Sequence, residues 1–249
     1  MKEFNYKISS LDGLKDILQS KEILTLRGCK SQLVQIYSAK NSSEYYQSLA
    51  NAIRSVFPSA VIAGASSVGE INEGKMVTGS TIISFSFFES SSVSLFSYYC
   101  KEGNEEAMGK ILVREIKSLD KEVKGLLLLS TPVSNDSSKL FNSITADAIT
   151  YPIFGGGAGD YANRRKTLVF DGLQCYRQGV VAVVFSGKNL HIEPLTYLGW
   201  HPLSQEMTIT GIDNMSVKTI DGKPAFSVYQ KYLGIKADSN FFQNVLEFP

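Results

Sequence analysis

Residues 61–76, VIAGASSVGEINEGKM, have the glycine and lysine spacing of a phosphate-binding loop, because Gly69 is followed after four residues by Gly74 and Lys75. A Walker A loop also needs a Ser or Thr hydroxyl directly after the lysine, for the magnesium ion, and a helix N-terminus for the phosphates. Here a methionine follows the lysine, two glutamates fall inside the loop, and the next residues predict a turn and a strand. The sequence therefore argues against a phosphate site in this stretch.

This stretch has a counterpart later in the chain, since both are loops of small residues that follow a buried strand and end in a carboxylate. The candidate ligand-binding residues are Gly64, Ser66, Ser67 and Glu70 in the first loop, and Gly156, Gly157 and Asp160 in the second. Small side chains leave backbone N–H and C=O groups open to close approach, and α/β proteins place ligands at the carboxyl ends of strands. The two loops therefore predict one shared pocket. The alternative is that the glycines only permit tight turns or close packing of the two halves.

Motifs for covalent catalysis and dinucleotide binding fail at the same loops. Neither Ser66 nor Ser67 has glycines two residues before and two residues after it, as a nucleophile elbow requires. A dinucleotide fingerprint counted from Gly155 needs glycine or alanine at its sixth position, which is Asp160. No nucleophile and base can be paired from the sequence, so we expect no enzymatic activity. A hydrolase or transferase of unusual design is the alternative.

Histidine and cysteine, the usual metal ligands and bases, are scarce. His191 alternates with apolar residues in a predicted strand, which favours a structural role, whereas His201 lies beside Trp200 in a predicted turn and is a candidate to hold a ligand or cofactor. The three cysteines are Cys29, Cys100 and Cys175. Their wide spacing, with no C-x-x-C pair, predicts buried, reduced thiols rather than a zinc site or a disulfide framework.

The elements that must position these residues occur in an order that is repeated. Strand, helix, strand, small-residue loop and paired strands follow one another over residues 32–99, with Asn41 as the predicted helix cap. The same order returns over residues 125–198, where the apolar strand GLLLLS begins it and a hairpin about Asp171 and Gly172 follows the loop.

This repetition predicts an α/β fold made of a duplicated β-α-β-plus-hairpin unit with pseudo-twofold symmetry, its mixed sheets covered by helices. Two packed sheets with helices outside and one long mixed sheet both satisfy the pattern. Two ordinary βαβ units of similar length are the alternative to a duplication.

Composition excludes several classes of partner. The 249 residues include 25 basic and 24 acidic side chains, a net charge of +1, so no general field attracts nucleic acid or an anionic membrane. A short basic run, residues 163–167, reads as a solvated turn, with contact to a phosphate or a downstream domain as the alternative. Apolar runs are strand-sized, and the N-terminus has no signal-peptide pattern. We therefore expect a cytoplasmic protein that binds no membrane.

Several motifs, taken in order, resemble the FIST domain: VIAGASSVGEI with STIISFSFF, then PIFGGGAGD, then YLGWHPLS with IDGKPAFSVYQKYLG. The resemblance implies a cytoplasmic sensory domain that binds small ligands such as amino acids and is joined to a methyl-accepting, histidine-kinase or cyclic-dinucleotide effector module. It places Trp200 in the Gly-Trp-x-Pro turn of the family. Some relatives bind haem and respond to nitric oxide.

The resemblance also suggests how the chain is divided. We expect an N-terminal helical lead-in over residues 1–30, a first half with a connecting helix over 31–120, a second half over 121–200, and a linker with the start of the C-terminal FIST portion over 201–249. Members of the family continue well past this point, so we expect the chain to be a fragment.

Two functional hypotheses follow. In the first, a small polar ligand lies between the two loops without any cofactor, backbone amides bind its anionic groups, and Glu70 or Asp160 binds an ammonium group. In the second, the domain is a haem-binding nitric oxide sensor with His201 or His191 as the axial ligand in an apolar pocket.

Overall fold

The computed structural model describes residues 1–132, 134–146, 148–160, 166–196, 201–202, 204–214, 216–234 and 236. Trp200 and most of the basic run at 163–167 lie outside this range. The chain divides into two compact units, Met1–Pro194 and Leu195–Pro249.

The first unit contains strands and helices that alternate along the chain. Its strands are β1 (Lys2–Ile8), β2 (Ser31–Ser38), β3 (Val61–Ser66), β4 (Glu70–Asn72), β5 (Lys75–Val77), β6 (Thr81–Phe88), β7 (Ser92–Tyr99), β8 (Val123–Ser130), β9 (Ile153–Gly157), β10 (Val169–Phe170), β11 (Cys175–Tyr176) and β12 (Gly179–Ser186). Its helices are α1 (Leu11–Gln19), α2 (Lys21–Leu24), α3 (Ser43–Val56), α4 (Glu105–Ser118) and α5 (Ser137–Thr145).

Two mixed sheets organise this unit. One has the strand order β1-β6-β2-β3-β10-β11 and the other β7-β12-β8-β9. Within them, β2 pairs with β3 and β8 with β9 in parallel, and all the other pairs are antiparallel. Strands β4 and β5 form a separate hairpin. The prediction of an α/β fold with mixed sheets is confirmed.

Three apolar cores show that the sheets pack face to face with helices outside. The core between the sheets includes Leu33, Ala63, Leu129, Val169 and Val183. The core that joins the six-stranded sheet to α1, α2 and α3 includes Leu14, Ile23, Ile53, Phe85 and Phe170. The core that joins the four-stranded sheet to α4 and α5 includes Leu112, Ile116, Leu126, Ile144 and Val184. Strands β6 and β12 are buried along their whole length because they are covered on both faces.

The two sheets repeat one connectivity. The order β1-β6-β2-β3 in one sheet corresponds strand for strand to β7-β12-β8-β9 in the other, and α1 and α3 correspond to α4 and α5. The repeated stretches are therefore Lys2–Phe88 and Ser92–Ser186, so that α4 occupies in the second half the place of α1 in the first and is more than a connector. The repeat starts well before residue 31.

The sequence-based element predictions need three corrections. The expected helical lead-in opens with β1, whose alternating Phe4, Tyr6 and Ile8 fit a strand. The cap of α3 is Ser42, whose hydroxyl accepts from the N–H of Tyr45, and not Asn41. Residues 190–196, which include His191, form no strand, and β12 ends before them at Ser186.

The stretch with phosphate-loop spacing is the β4–β5 hairpin. Glu73 and Gly74 both have positive φ, 51° and 73°, as the central residues of a type I′ turn do. Because a strand and no helix follows Lys75, the rejection of a phosphate loop is confirmed.

The second unit contains a small sheet and one described helix. Strands β13 (Ile209–Asp213), β14 (Ser216–Ile220) and β15 (Lys223–Pro224) form an antiparallel sheet. Helix α6 (Ala225–Leu233) ends at Gly234, whose φ of 63° is the left-handed conformation of a helix C-cap.

Two further expectations can be compared with the described residues. Cys29, Cys100 and Cys175 are all free thiols, as predicted, but the expected full burial holds only for Cys100, since Cys29 and Cys175 are partly exposed. Among the described helices, none combines the length and the apolar character needed to cross a bilayer.

Candidate functional site

The two small-residue loops begin at equivalent positions of the two halves. In the parallel pair β2–β3, Gly64 lies opposite Ile36, and in β8–β9, Gly155 lies opposite Leu128. The N–H of Ser67 donates to Ser38 C=O at 3.0 Å, and the N–H of Ala158 donates to Ser130 C=O at 2.8 Å. These matching hydrogen bonds align Ser66 with Gly157.

The structure brings the loops into direct contact. The N–H of Gly159 donates to the carbonyl oxygen of Ser66 at 2.7 Å. A Cβ atom at Gly159 would lie 2.9 Å from the nitrogen of Val68, so a side chain there would force the loops apart. The absence of a side chain at Gly159 is therefore what allows this approach.

A cavity of about 420 Å³ lies where the loops meet. Residues of both halves line it: Tyr37, Ala65, Ser66, Ser67, Val68 and Gly69 from the first, and Leu129, Gly155, Gly156, Gly157 and Gly159 from the second. Tyr37 and Leu129 are themselves equivalent, because they pair with Ala65 and Gly156. We call this space the loop cavity. Its volume is in the range of small-molecule sites.

Gly64 and Gly155 have a structural function within their own halves, which differs from the tight turns and the packing of the two halves that the sequence analysis considered. A Cβ atom would lie 2.3 Å from Ile36 O at Gly64 and 2.0 Å from Leu128 O at Gly155. Gly155 also has a φ of 135°, which L side chains rarely adopt. Both glycines thus allow close approach to the neighbouring parallel strand. Gly64 is buried between its neighbouring strands β2 and β10. Gly155 is exposed and also lines the loop cavity.

Ser66 joins the first loop to β10. Its hydroxyl accepts from Leu168 N–H at 3.0 Å, and its own N–H donates to Leu168 C=O at 3.0 Å. The side chain is buried, so these hydrogen bonds are shielded from water. This contact fixes the wall of the loop cavity, to which Ser66 contributes.

The two carboxylates close the loops from which they come. Glu70 is buried, and its carboxylate accepts from Ser67 Oγ at 2.7 Å and from Ser80 N at 3.1 Å. Asp160 is also buried and accepts from Lys166 N at 2.8 Å. Each carboxylate therefore holds the chain that returns from its loop. Carboxylates have about four acceptor positions, so Glu70 retains acceptor capacity beyond these two bonds.

A second space adjoins the loop cavity and contains Glu70. It has a volume of about 340 Å³, and Tyr37, Ser67 and Gly69 line both spaces. Asn5, Gln35, Ile71, Ile82 and Ser84 complete its described lining. We call it the hairpin cavity. A polar ligand that extends from one space into the other would meet Glu70.

Tyr37 is the lining residue that the sequence analysis missed. Its hydroxyl donates to Gln35 Oε1 at 2.8 Å, and burial raises the pKa of the phenol to about 12. Tyr37 therefore remains neutral over the physiological range and offers one hydrogen-bonding hydroxyl between two cavities. Its alternation in QLVQIY predicted a strand, but nothing in that pattern distinguished it from a core aromatic residue.

The two histidines that are candidate haem ligands are both exposed. The side chain of His191 is 87% exposed, with Nε2 3.8 Å from Glu193 Oε2, and His201 is exposed in the second unit. Within the described ranges, no group of three or more His, Cys, Asp or Glu side chains is arranged to bind a metal ion.

Comparison with known protein families identifies the family of this chain. Residues 32–223 match the FIST N domain. The match covers more than half of the chain, so the chain belongs to the FIST family, whose domain is a sensory domain of signal-transduction proteins. No curated protein matches the chain.

Proposed function

We propose that this FIST domain is a non-enzymatic sensor that binds a small polar ligand, with an amino acid as the first candidate, in the loop cavity. The observation that carries the proposal is the lining of that cavity by both loops, at equivalent positions of the two halves. A ligand that contacts both loops would change how the halves pack, which is a signal that a downstream effector module can read. We place the domain in the cytoplasm.

The proposed binding mode uses the main chain for the anionic end of the ligand and Glu70 for a cationic end. Gly156 and Gly157 line the loop cavity without side chains, and the N–H of Gly157 points away from β8, so this N–H is open to a ligand. Glu70 is the better of the two carboxylates for an ammonium group because it lines the adjoining hairpin cavity. A charge-assisted hydrogen bond contributes on the order of 1.5–3 kcal/mol, so a few support micromolar affinity.

Thermal unfolding with a panel of the twenty amino acids tests the proposal. Ligand at about one hundred times its Kd adds about 2.7 kcal/mol to the free energy of unfolding, which raises the melting temperature by several degrees. Gly156→Val is the informative variant, since a Cβ at Gly156 meets nothing within 4 Å and the added side chain enters the loop cavity. Gly28→Val is the control, because Gly28 is exposed and equally unhindered.

We expect one or a few amino acids to stabilise the wild type and Gly28→Val but not Gly156→Val. Equal stabilisation of all three proteins would place the ligand elsewhere. No stabilisation by any amino acid would reject this class of ligand. A Soret band after haem reconstitution would instead support the haem sensor that the family resemblance leaves as the alternative.

A further inference from the structure

Strand β9 has an open edge in the part of the chain that the structure describes. The N–H of Ala158, directly after β9, donates to Ser130 C=O. The backbone N–H and C=O groups of the even-numbered residues of β9 therefore point to β8. Backbone groups of successive residues in a strand point to opposite sides, which directs the N–H and C=O groups of Gly155 and Gly157 away from β8. No described strand pairs with this edge, and both glycines are exposed. An open edge of this kind is a template for another strand.

The equivalent edge of the first half shows what such a template accepts. Strand β10 pairs antiparallel with β3, with Val169 opposite Ala65 and Phe170 opposite Gly64. By the alignment of the halves, the same positions on β9 are Gly156 and Gly155. The edge of β3 is therefore filled by an extended segment, whereas no described segment fills the corresponding edge of β9.

Cavities on both faces of β9 would receive the side chains of an added strand. The loop cavity lies on the side of the inter-sheet core, since Leu129 contributes to both. A second cavity of about 420 Å³ lies on the side of α5 and includes Leu140 and Phe141. Residues 155–157 line both spaces. Side chains of a strand alternate between two faces, so successive residues of an added strand would enter alternate cavities.

We propose that the edge of β9 binds an extended polypeptide segment by strand addition, antiparallel to β9, and that the segment carries a β-branched residue flanked by large apolar residues. The template is Leu168 with Val169 and Phe170 of β10, where the side chain of Val169 packs in the inter-sheet core and those of the other two pack toward the helices. Main-chain hydrogen bonds give affinity in this recognition mode, and pockets for alternate side chains give specificity. The proposal rests on the strand edge and not on the proposed small ligand.

Amide hydrogen exchange of the whole chain, labelled with ¹⁵N-glycine, tests the free state first. We expect the N–H groups of Gly155 and Gly157 to exchange at least a hundredfold faster than that of Gly156, which faces β8. Slow exchange at all three glycines in the protein alone would overturn the proposal, whether another part of the chain or a second copy covers the edge.

The peptide acetyl-KTLVFD-amide, which reproduces residues 166–171, then serves as the probe. We expect it to slow exchange at Gly155 and Gly157 at least tenfold. The backbone N–H and C=O groups of Leu168 and Phe170 point to β3, whereas those of Val169 point to β11. A peptide N-methylated at the phenylalanine therefore loses a hydrogen bond to β9 and should not protect, whereas one N-methylated at the valine should protect like the parent. Equal protection by both methylated peptides, or none by the parent at millimolar concentration, would overturn strand addition.

A protein variant tests the side-chain cavity separately. Phe141 is 45% exposed and lines the cavity beside α5, so Phe141→Asp should weaken peptide binding at least tenfold. Leu173→Asp is the control, since Leu173 is 69% exposed in the β10–β11 turn. Equal weakening by the two variants would contradict the proposal that side chains of the added strand enter the cavity beside α5. Failure of the amino-acid screen would leave these results unchanged, because they report on the strand edge.

Discussion

Strands β3 and β9 occupy the same position in the two halves of the domain, yet among the described strands β3 is an inner strand and β9 an outer one. Both follow a helix, both pair in parallel with the preceding strand, and both carry a glycine opposite a backbone carbonyl. The difference lies at their far edges, where Ser66 joins β3 to β10 and its counterpart Gly157 has no side chain. The comparison shows that one connectivity can leave a strand edge paired, as in β3, or with exposed main chain, as in the described part of β9.

The largest loss of stability is expected at Gly64 and Gly155, the glycines at equivalent positions of the two halves. Gly64→Ala should lower the free energy of unfolding by about 3 kcal/mol, because its Cβ meets the carbonyl of Ile36 while β2 and β10 hold the strand on both sides. Gly155→Ala should cost about 1–2 kcal/mol, since an outer strand can shift outward and mainly the strained φ remains. Urea unfolding measures both, with Gly156→Ala as a control that changes little. An equal or larger loss for Gly155→Ala would break the comparison between inner and outer strand.

The carboxylate that closes the first loop should have the next largest effect. Glu70→Ala leaves the Ser80 N–H without its acceptor and should cost about 2 kcal/mol. Glu70→Gln should cost much less, because its amide oxygen can accept from Ser80 while its NH₂ group donates to Ser67 Oγ. Thermal unfolding distinguishes them. Equal losses would mean that charge, and not the hydrogen bonds, is what the loop requires.

The Ser66 hydroxyl distinguishes the two edges directly. Ser66→Ala removes the acceptor of the buried Leu168 N–H and should destabilise the domain by about 1 kcal/mol. Ser48→Ala, which removes an exposed hydroxyl bonded to Glu44 C=O, is the matched control and should have less effect. Chemical denaturation of the three proteins provides the test. Indistinguishable stabilities would show that β10 is held to β3 without this contact.

The last effect is confined to alkaline pH and concerns Tyr37, whose counterpart is Leu129. Because burial raises the pKa of Tyr37 to about 12 in the folded state, the unfolded chain ionises first as the pH rises from about 10. The stability from the buried neutral phenol is therefore present below pH 10 and is lost between about pH 10 and about pH 12. Tyr37→Phe should show a shallower fall in unfolding free energy over that window. A fall as steep as that of the wild type would assign the alkaline loss to other groups.

Much of the fold follows from patterns in the chain. Alternation and apolar runs predict β2, β6, β8 and β12, and the two small-residue loops predict that the halves meet there. The choice between two packed sheets and one long sheet depends on which faces contact each other, as Val169 and Val183 do across the inter-sheet core. Such long-range contacts leave no local periodicity. Strand β1, by contrast, could have been predicted locally, because the alternation of Phe4, Tyr6 and Ile8 is typical of a strand.

The site is less predictable than the fold. Small residues marked both loops, but Gly64 contacts strand backbone and the Glu70 and Asp160 carboxylates hold their own loops. Local sequence cannot distinguish a glycine that admits a ligand from one that admits a carbonyl. Tyr37 carried no signal of its own, since a tyrosine in a strand is usually a core residue.

The central claim is that one small ligand contacts both loops at once. It is tested most directly by ¹⁵N-glycine NMR of the whole chain, titrated with the amino acid that gives the largest thermal shift. The account predicts that Gly69 of the first loop and Gly156, Gly157 and Gly159 of the second shift together with a single Kd, and that Gly28 does not. Shifts confined to one loop, or absent from both, would contradict it.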